Sequence, residues 1–543
     1  MMLVVALGMA LPLGVAAQQE QPAAPLRFDI LEYEVEGNSV LSVVAIERAL
    51  MPFLGPQRNI EDAEAARAAL EKAYQGAGFL TVFVDLPEQR VDGGVVRLSV
   101  LEGRVERLVV TGARYFDQGF IRSQVVELAP GNVPNFNEVQ RQLGSVNTSE
   151  DRRVQPILRP GRLPGTVEAE LQVKDRLPLG GSVEVNNAAT ANTAALRASA
   201  TLHYDNLWQL GHSLGVTLTT APTAPSQSAI AVLNYGIPLS GGDSLGFYVV
   251  HSSSNLDTLG GTQVLGKGDT VGARYSISLI ATERGSHSLT LGADYRNVQE
   301  QLRQGDQNIN KPLRYLPLQA AYSGSWFGTG RQTSLSTTLS FGLRPLLARR
   351  IDGCELENGS LGTDDQFRCK RKGADGGFST LRLDLRHTES FEVLWGTSLT
   401  GRVAGQLASQ QLTSAEQFAL GGADTVRGYF EGAAVGDHGV LASIEARSPN
   451  LAAPLQRSLT GRTVEDLTEL TLLAFIDAGS LTTINPDAGQ NRRQPLLGSG
   501  AGLRLGTRSG ASLDVVAAQA QKALASATHK PGLRLHARLA IKF

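Results

Sequence analysis

The chain contains 543 residues with a formal net charge of −2, 19% charged residues, 59 glycines and 2 cysteines. A single hydrophobic core rarely organises a chain of this length, so we expect more than one domain. The near-neutral charge gives no sign of a nucleic-acid-binding surface. Abundant glycine with few charged residues favours a chain that is rich in strands and turns.

The N-terminal segment, residues 1–17, is apolar and ends in small residues (VAA), after which the chain becomes polar at Gln18. This pattern is typical of a secretory signal peptide. The segment lacks the usual positively charged start, which suggests that translation begins further upstream. A membrane anchor remains the alternative, although the apolar run is short for one. Residues 18–25 (QQEQPAAP) are predicted to form a short linker.

Residues 26–104 mix helical and strand patterns and are predicted to form a small βααββ module. A strand in LRFDILEYEVEG precedes two helices, of which the second is capped by Asn59 and stopped by Gly76 and Gly78. The stretches TVFVDLPEQRV and GGVVRLSVLEG then alternate as two strands. Residues 105–176 repeat this order more loosely, and two copies of one α/β unit are the simplest account of both regions.

Residues 178–543 carry only strand and turn patterns. In the last segment, GLRLHARLAIKF, every second residue back from Phe543 is apolar, and the residues between are mostly charged or polar. Such alternation predicts a strand with one oily and one polar face, as in a barrel with lipid outside and water inside. Sixteen strands are predicted, and they begin near Gly181, Thr193, His212, Ser228, Asp243, Thr270, Ser286, Leu313, Arg331, Phe378, Leu394, Gly436, Glu469, Pro495, Ala511 and Gly532.

The connections between these strands favour a closed antiparallel barrel. Those after even-numbered strands are mostly short, such as SGGD, ERGSH and TRSG, and those after odd-numbered strands are mostly long. No segment after the signal region offers the ~18 apolar residues of a spanning helix, so membrane insertion would have to use a barrel. We therefore predict a membrane all-β fold, a 16-stranded antiparallel transmembrane β-barrel preceded by two small βααββ modules. A large soluble β-protein is the alternative.

The two cysteines, Cys354 and Cys369, lie in one long predicted loop. An exported protein meets an oxidising compartment, so we expect a local disulfide, worth on the order of 3 kcal/mol in the chain-entropy account. A metal site or a reactive thiol is the alternative. The lack of a neighbouring histidine and of a CxxC motif disfavours it.

Several stretches form a recognisable set of motifs. In the modules they are FDILEYEVEGNSVLS, AYQGAGFLTVFVDLPEQ and ILRPGRLPGTVEAELQVKD. In the barrel they are Val426-Arg427-Gly428-Tyr429, in the loop after the eleventh strand, and Phe475-x-Asp477-x-Gly479, in the thirteenth strand. Together they resemble the outer-membrane transporters of two-partner secretion, the haemolysin secretion/activation (ShlB/FhaC/HecB, TpsB) type. One departure is Phe79, which stands where the family's first polypeptide-transport-associated (POTRA) module usually has Tyr.

The resemblance implies that the VRGY loop folds back into the barrel and brings Arg427 to Asp477. Strand parity is consistent with this, because the apolar residues on either side of Asp477 face lipid and so aim its carboxylate into the lumen. The same parity places Glu445 and Arg447 inside. An Arg–carboxylate pair in a narrow lumen can act as a latch for the loop. The alternative is that Arg427 and Asp477 are solvated charges in a wet channel.

The resemblance also assigns roles outside the lumen. It implies that the POTRA modules lie in the periplasm and capture an unfolded partner exoprotein by adding it as a strand to an open sheet edge. A mere spacer is the alternative. It further implies that Phe543 is read by the outer-membrane insertion machinery, or serves as an aromatic residue at the membrane interface. The linker 18–25 is too short for the plug helix that related transporters often carry.

The predicted function is therefore export of a partner exoprotein through an outer-membrane pore. The sequence contains no GxxxxGK[ST] motif, metal cluster or nucleophile elbow, so we expect no enzymatic activity, cofactor, metal, nucleotide or nucleic acid. An outer-membrane insertase of the same superfamily is the alternative, although such proteins usually carry three or more POTRA modules. A passive porin is disfavoured by the tandem modules. The sequence leaves open whether the cargo is an adhesin, a cytolysin or a contact-dependent toxin.

Overall fold

The chain divides into two compact units between Arg176 and Leu177. The predicted signal peptide and linker lie outside the described residues, as does part of the long loop after the twelfth barrel strand. The computed structural model describes residues 27–147, 149–254, 256–259, 262–265, 267–282, 284–304, 307–356, 359–454, 466–486, 490–524 and 532–543.

The first module of the N-terminal unit is a three-stranded sheet with two helices. The sheet order is β2-β5-β4, with β2 parallel and β4 antiparallel to β5. The segment predicted as one opening strand is split in two, and its first part pairs with β3, a short strand (GPQR) without alternation that the sequence did not indicate. The elements are β1 (Phe28–Ile30), β2 (Glu32–Glu36), α1 (Val43–Leu50), β3 (Gly55–Arg58), α2 (Ile60–Gly76), β4 (Val82–Asp85) and β5 (Val95–Glu102).

Helix α2 holds the core of this module. Asn59 and Asp62 form a reciprocal capping box at its start. At its end, Tyr74 is fully buried and donates its hydroxyl to the Asn38 side chain at 2.6 Å. The chain then leaves the helix through Gly78, whose φ of +100 lies in the region that favours glycine. The AYQGAGF motif therefore encodes a buried aromatic anchor and a turn.

The second module repeats the order of elements. Its sheet order is β6-β8-β7, and the buried side chains of both helices pack on it. The modules meet at Gly78, whose carbonyl accepts a hydrogen bond from the Phe136 N–H at 2.8 Å, while the Asn135 amide donates to the Ala77 carbonyl at 3.0 Å. The elements are β6 (Arg104–Thr111), α3 (Gln118–Gln124), α4 (Phe136–Val146), β7 (Arg152–Pro160) and β8 (Thr166–Asp175).

None of the helices in the described part of the chain is both long and apolar enough to cross a membrane.

The second unit is a closed antiparallel barrel of sixteen strands, which confirms the predicted strand number. One of the sixteen is interrupted at Leu316 and so carries two labels, β18 and β19. The short hairpins β14–β15, β21–β22 and β25–β26 belong to the loops. The elements are β9 (Leu179–Asn186), β10 (Arg197–Leu207), β11 (His212–Thr220), β12 (Ala229–Pro238), β13 (Ser244–Ser252), β14 (Leu256–Leu259), β15 (Thr262–Leu265), β16 (Lys267–Thr282), β17 (Gly285–Gln304), β18 (Gln307–Tyr315), β19 (Pro317–Gly328), β20 (Arg331–Gly342), β21 (Arg350–Glu355), β22 (Leu361–Asp365), α5 (Gln366–Lys370), β23 (Ser379–Phe391), β24 (Thr397–Ala408), β25 (Phe418–Leu420), β26 (Ala434–Gly436), β27 (His438–Arg447), β28 (Leu467–Thr482), β29 (Arg493–Thr507), β30 (Ala511–Ala520) and β31 (Leu533–Lys542).

The two faces of the barrel wall differ as the alternation predicts. On β28, Leu472 and Ile476 are half exposed on the outer surface, whereas Phe475 and Asp477 are buried inside. The last strand behaves likewise, with its apolar set outside and His536 buried in the lumen. Side chains at i and i+2 share a face of a strand, so the outer surface becomes an apolar band.

The barrel closes where β31 pairs with β9. Phe543 and Gly181 exchange backbone hydrogen bonds of 2.9 and 3.0 Å, so the final residue belongs to the closing seam. We call the end of the barrel where β9 begins and β31 ends the proximal end, and the opposite end the distal end. Loops after odd-numbered barrel strands, including the one with both cysteines, lie at the distal end.

The glycine pair at the end of α2 gives a first prediction. Gly78→Ala should destabilise the N-terminal unit by about 1–3 kcal/mol, because alanine tolerates positive φ poorly. Its Cβ would also lie 2.5 Å from the Asn135 side chain. Gly76→Ala is the matched control, since nothing lies within 4 Å of its added Cβ, and it should be neutral or stabilising by up to ~1 kcal/mol. Urea unfolding of the N-terminal unit followed by circular dichroism measures both, and equal effects would contradict the assignment.

Candidate functional site in the barrel lumen

The candidate site is the loop of residues 409–437 between β24 and β27, which we call the lumen loop. It starts and ends at the distal end, but it contacts inward-pointing side chains of β27, β28 and β31 and the backbone of β29. A small hairpin, β25–β26, forms its base. Its apolar residues pack with inward-facing residues of the wall in one buried cluster, which includes Val426, Tyr429 and Leu481.

The tip of the lumen loop is a compact glycine turn. Gly421 and Gly422 both have positive φ, at +108 and +115. The Gly422 N–H donates to the Val426 carbonyl at 3.2 Å, and the Gly421 N–H donates to the Thr425 hydroxyl at 2.9 Å. The Glu431 carboxylate accepts a 2.8 Å hydrogen bond from the Ala423 N–H. The sequence LGGADTVRGYF therefore folds sharply enough to aim Arg427 at the wall.

The structure brings Arg427 and Asp477 together. Arg427 Nε lies 2.8 Å from one carboxylate oxygen of Asp477 and Nη2 lies 2.9 Å from the other, which is a bidentate pair. The Arg427 backbone N–H donates to the same carboxylate at 3.1 Å, and the Ser443 hydroxyl at 2.6 Å. The Asp477 side chain is 0% exposed and that of Arg427 is 11% exposed. The two groups are thus shielded from water rather than solvated separately.

The other predicted lumen charges join this pair. Arg427 Nη1 lies 2.5 Å from the Glu445 carboxylate, whose other oxygen accepts from Arg447 Nε at 2.7 Å. The Arg427 guanidinium also lies over the ring of Phe475, 3.3 Å from its centroid. Arg427 of the VRGY motif therefore has partners in the Phe-x-Asp-x-Gly motif and in β27, and its positive charge is balanced within the lumen.

The remaining residues of the VRGY motif fix the backbone around Arg427. The Tyr429 hydroxyl donates to the Lys522 carbonyl at 2.8 Å and accepts from the Leu497 N–H at 3.3 Å, so it bridges β29 and the chain after β30. The Gly428 N–H donates to His536 Nε2 on β31 at 3.1 Å. Val426 is completely buried in the apolar cluster. The motif as a whole thus contacts β27, β28, β29, β31 and the chain after β30.

Two wall glycines leave the space that the loop occupies. A Cβ at Gly479, the last residue of the Phe-x-Asp-x-Gly motif, would lie 2.6 Å from the Leu420 side chain and 3.1 Å from that of Val426. A Cβ at Gly498 on β29 would lie 2.0 Å from the Arg427 carbonyl oxygen. The motif therefore has glycine at position 479 because a side chain there would collide with the lumen loop. Gly498 was not singled out by the sequence.

A second anchor of the lumen loop was also missed from sequence. Glu416, buried near the start of the loop, accepts hydrogen bonds of 2.6 Å from Arg296 on β17 and from the Tyr315 hydroxyl at the end of β18. Arg296 continues to Asp294, which also pairs with Arg274 at 2.6 Å. Strand alternation places these charged wall residues on the inward face, and that pattern could have identified them as lumen residues. Nothing in the strand pattern indicated that Glu416 would reach them from a loop.

The structure places Cys354 and Cys369 in a disulfide, with 15 residues of sequence separation. It joins β21 to helix α5 in the distal loop between β20 and β23. No group of three or more metal-binding side chains occurs in the described ranges of the chain.

Comparison with known proteins now identifies the family. Residues 165–505 match the haemolysin secretion/activation protein ShlB/FhaC/HecB family, and residues 28–103 match the ShlB-type POTRA domain. The chain belongs to the ShlB/FhaC/HecB family. It is therefore an outer-membrane protein of two-partner secretion with its POTRA region in the periplasm, as the sequence motifs predict.

Similarity to individual proteins supports the assignment of this chain to the ShlB/FhaC/HecB family. It is 24% identical over 423 residues to the outer membrane transporter CdiB of Escherichia coli O6:K15:H31, a match covering 76% of this chain and 67% of that protein. It is 22% identical over 430 residues to the heme/hemopexin transporter protein HuxB of Haemophilus influenzae, covering 77% and 72%. The solved structure of CdiB from Escherichia coli has the same fold, with a TM-score of 0.67, 18% sequence identity and coverage of 98% and 94%.

The wall glycine facing Arg427 gives a second prediction. Gly498→Ala should leave the barrel folded but displace the lumen loop, because its Cβ would overlap the Arg427 carbonyl oxygen. Overpacking of this kind costs about 1–3 kcal/mol. Gly401→Ala on β24 is the matched control, since nothing lies within 4 Å of its added Cβ. Conductance in planar lipid bilayers should rise for the first variant and stay unchanged for the second. Equal conductance in both would contradict the assigned role.

Proposed function

We propose that the protein exports an unfolded partner exoprotein from the periplasm to the cell surface, and that the lumen loop is the gate of its pore. The observation that carries the proposal is the shielded Arg427–Asp477 pair, which fastens a distal loop inside a barrel of the two-partner secretion family. Because the POTRA region is periplasmic and β9 follows β8 directly, the proximal end is assigned to the periplasm and the distal end to the cell surface.

The Arg427–Asp477 latch is costly to break at one partner but adds little net stability when intact, as a switch requires. Removing one member of a buried ion pair strands the other charge and costs about 3–5 kcal/mol, whereas the intact pair adds little net stability over an apolar one. The loop is therefore expected to leave the wall as a unit, with both charges becoming hydrated together in the wet lumen. At that moment, lumen water and the backbone groups of a passing polypeptide would serve as hydrogen-bond partners for Asp477 and Arg427.

The βααββ modules are proposed to capture the exoprotein. The edge strands are β2 and β4 in the first module and β6 and β7 in the second, with the Val105 backbone of β6 already bonded to Gly131 and Asn132. An extended segment can add to such an edge through backbone hydrogen bonds, which demand little of its sequence. This mode suits a cargo that arrives unfolded. The cargo class, whether adhesin, cytolysin or contact-dependent toxin, stays open.

Phe543 is proposed to serve as the signal for the outer-membrane insertion machinery. Its backbone closes the seam with Gly181, while its ring is largely exposed at the proximal rim of the barrel. An exposed terminal aromatic ring is available to a partner before the barrel closes and to lipid afterwards. The insertase function weighed from the sequence remains the alternative function, and the export assay below separates the two.

Removing the latch gives the third prediction. Arg427→Ala should still insert in the outer membrane, because the strands are unaffected, but should export partner protein poorly. The loss follows from a loop that no longer docks, since Asp477 is left buried with fewer donors. The measurements are heat-modifiable mobility on gels for the folded barrel and surface-exposed partner protein on cells.

The matched control is Arg492→Ala, an exposed arginine in the distal loop before β29. It should insert and export like the parent protein. Normal export by the Arg427→Ala variant would refute the latch.

Co-expression with candidate cargo gives the fourth prediction. A large secreted protein encoded beside this gene should appear on the cell surface only when the transporter is present. The partner should accumulate in the periplasm without it. General loss of other outer-membrane proteins on deletion, with no effect on a partner, would instead support the insertase alternative.

A further inference from the structure

The distal loop that carries the disulfide reaches the base of the lumen loop. This loop, residues 343–378 between β20 and β23, contains β21, β22 and helix α5, and we call it the cysteine loop. The disulfide ties α5 to β21, and Gln366 ties α5 to the barrel. The Gln366 amide donates to the Arg314 carbonyl at 2.7 Å and to the Leu347 carbonyl at 2.9 Å. The helix is therefore held from two sides.

Arg371 follows α5 immediately and binds Asp437, the last residue of the lumen loop. Its Nη1 and Nη2 lie 2.6 and 2.9 Å from the two carboxylate oxygens, a bidentate pair like that of Arg427. The same guanidinium donates to the Leu412 carbonyl at 2.7 Å and to the Ile484 carbonyl at 2.9 Å. Arg371 thus joins both ends of the lumen loop to the distal loop that follows β28.

Asp437 depends on this contact. Its side chain is 0% exposed, and besides Arg371 it accepts hydrogen bonds from the backbone N–H groups of Leu412 at 2.9 Å and Ile484 at 2.7 Å and from the Gln417 amide at 3.2 Å. A buried carboxylate with only neutral donors is costly, so loss of Arg371 would favour exposure of Asp437 to water. Exposure requires the base of the lumen loop to move away from the mouth of the barrel.

An apolar cluster supports the same junction. Phe367 of α5 packs on Tyr315 at 5.5 Å between ring centroids and on Phe378 at 6.4 Å. Leu412 of the lumen loop is buried in this cluster. The Tyr315 hydroxyl in turn donates to Glu416 of the lumen loop. The cysteine loop therefore contacts the start of the lumen loop through apolar surface and its end through Arg371.

We propose that Arg371 is an outer latch, a positioning residue that holds the base of the lumen loop from the cell-surface side, with the disulfide-bonded cysteine loop as its mount. The inference rests on the proposed function in that the lumen loop gates the pore. The inner latch, Arg427, fixes the tip of that loop, and the outer latch fixes its two ends. Release of the outer latch alone opens the mouth while Arg427 still binds Asp477.

The test compares two arginines of one short segment. Arg371→Gln removes the outer latch, and Arg368→Gln, an exposed residue of α5, is the matched control. In planar bilayers the first variant should increase the open probability on the order of tenfold or more, since it strands a buried carboxylate. The control should behave like the parent protein.

Three further comparisons separate gating from folding. Chymotrypsin added to whole cells should cut the base of the lumen loop, after Leu412 or Phe418, faster in Arg371→Gln than in the parent or the control, with unchanged heat-modifiable mobility. Arg371→Lys keeps the charge but loses the bidentate geometry, so its open probability should fall between parent and Arg371→Gln. The double variant Cys354→Ser with Cys369→Ser should shift gating in the same direction as Arg371→Gln.

A folded Arg371→Gln protein with parental open probability and parental chymotrypsin resistance would overturn the outer latch. If that variant does not fold, parental gating of Arg371→Lys would do so. Both readouts are made without cargo, so they are independent of export. A parent protein that exports no partner would refute the proposed function while leaving the latch measurement valid.

Discussion

A carboxylate that is shielded from water must be supplied with hydrogen-bond donors, and this requirement organises the lumen of the barrel. Asp477 receives two donors from the Arg427 side chain, one from its backbone and one from Ser443. Three features place Arg427 at that position. They are the sharp glycine turn, the lack of a side chain at Gly498 and the hydrogen bonds of Tyr429 to two parts of the wall. The loop is folded inward because the wall leaves an acid unsatisfied without it.

The same chemistry occurs at several points along one loop. Arg427 approaches the wall from the loop, whereas Arg296 approaches Glu416 of the loop from the wall, and Arg371 reaches Asp437 from a neighbouring loop. Buried pairs of this kind contribute specificity of position more than net stability. Such contacts would suit the proposed gate better than an apolar plug, because they define one position of the loop and can be released when water enters.

Features of this arrangement that depend on residues close in sequence could be predicted, whereas contacts between residues distant in sequence could not. Strand alternation located all sixteen barrel strands, and the parity of β28 aimed Asp477 inward, because both depend on local periodicity. The β3 strand was missed because its four residues carry no alternation. Glu416 and Arg371 were missed because each lies in a loop and meets a partner distant in sequence, which no periodic pattern encodes.

The contacts of the glycine beside Arg427 have a consequence for biogenesis. Gly428 bonds His536, 108 residues further along the chain, and Tyr429 bonds Leu497 and Lys522. Those partners are synthesised later than the loop and become available only when the closing strands have taken their places. These contacts of Gly428 and Tyr429 therefore cannot form before β29, β30 and β31 are in place, and full docking of the loop depends on closure of the barrel.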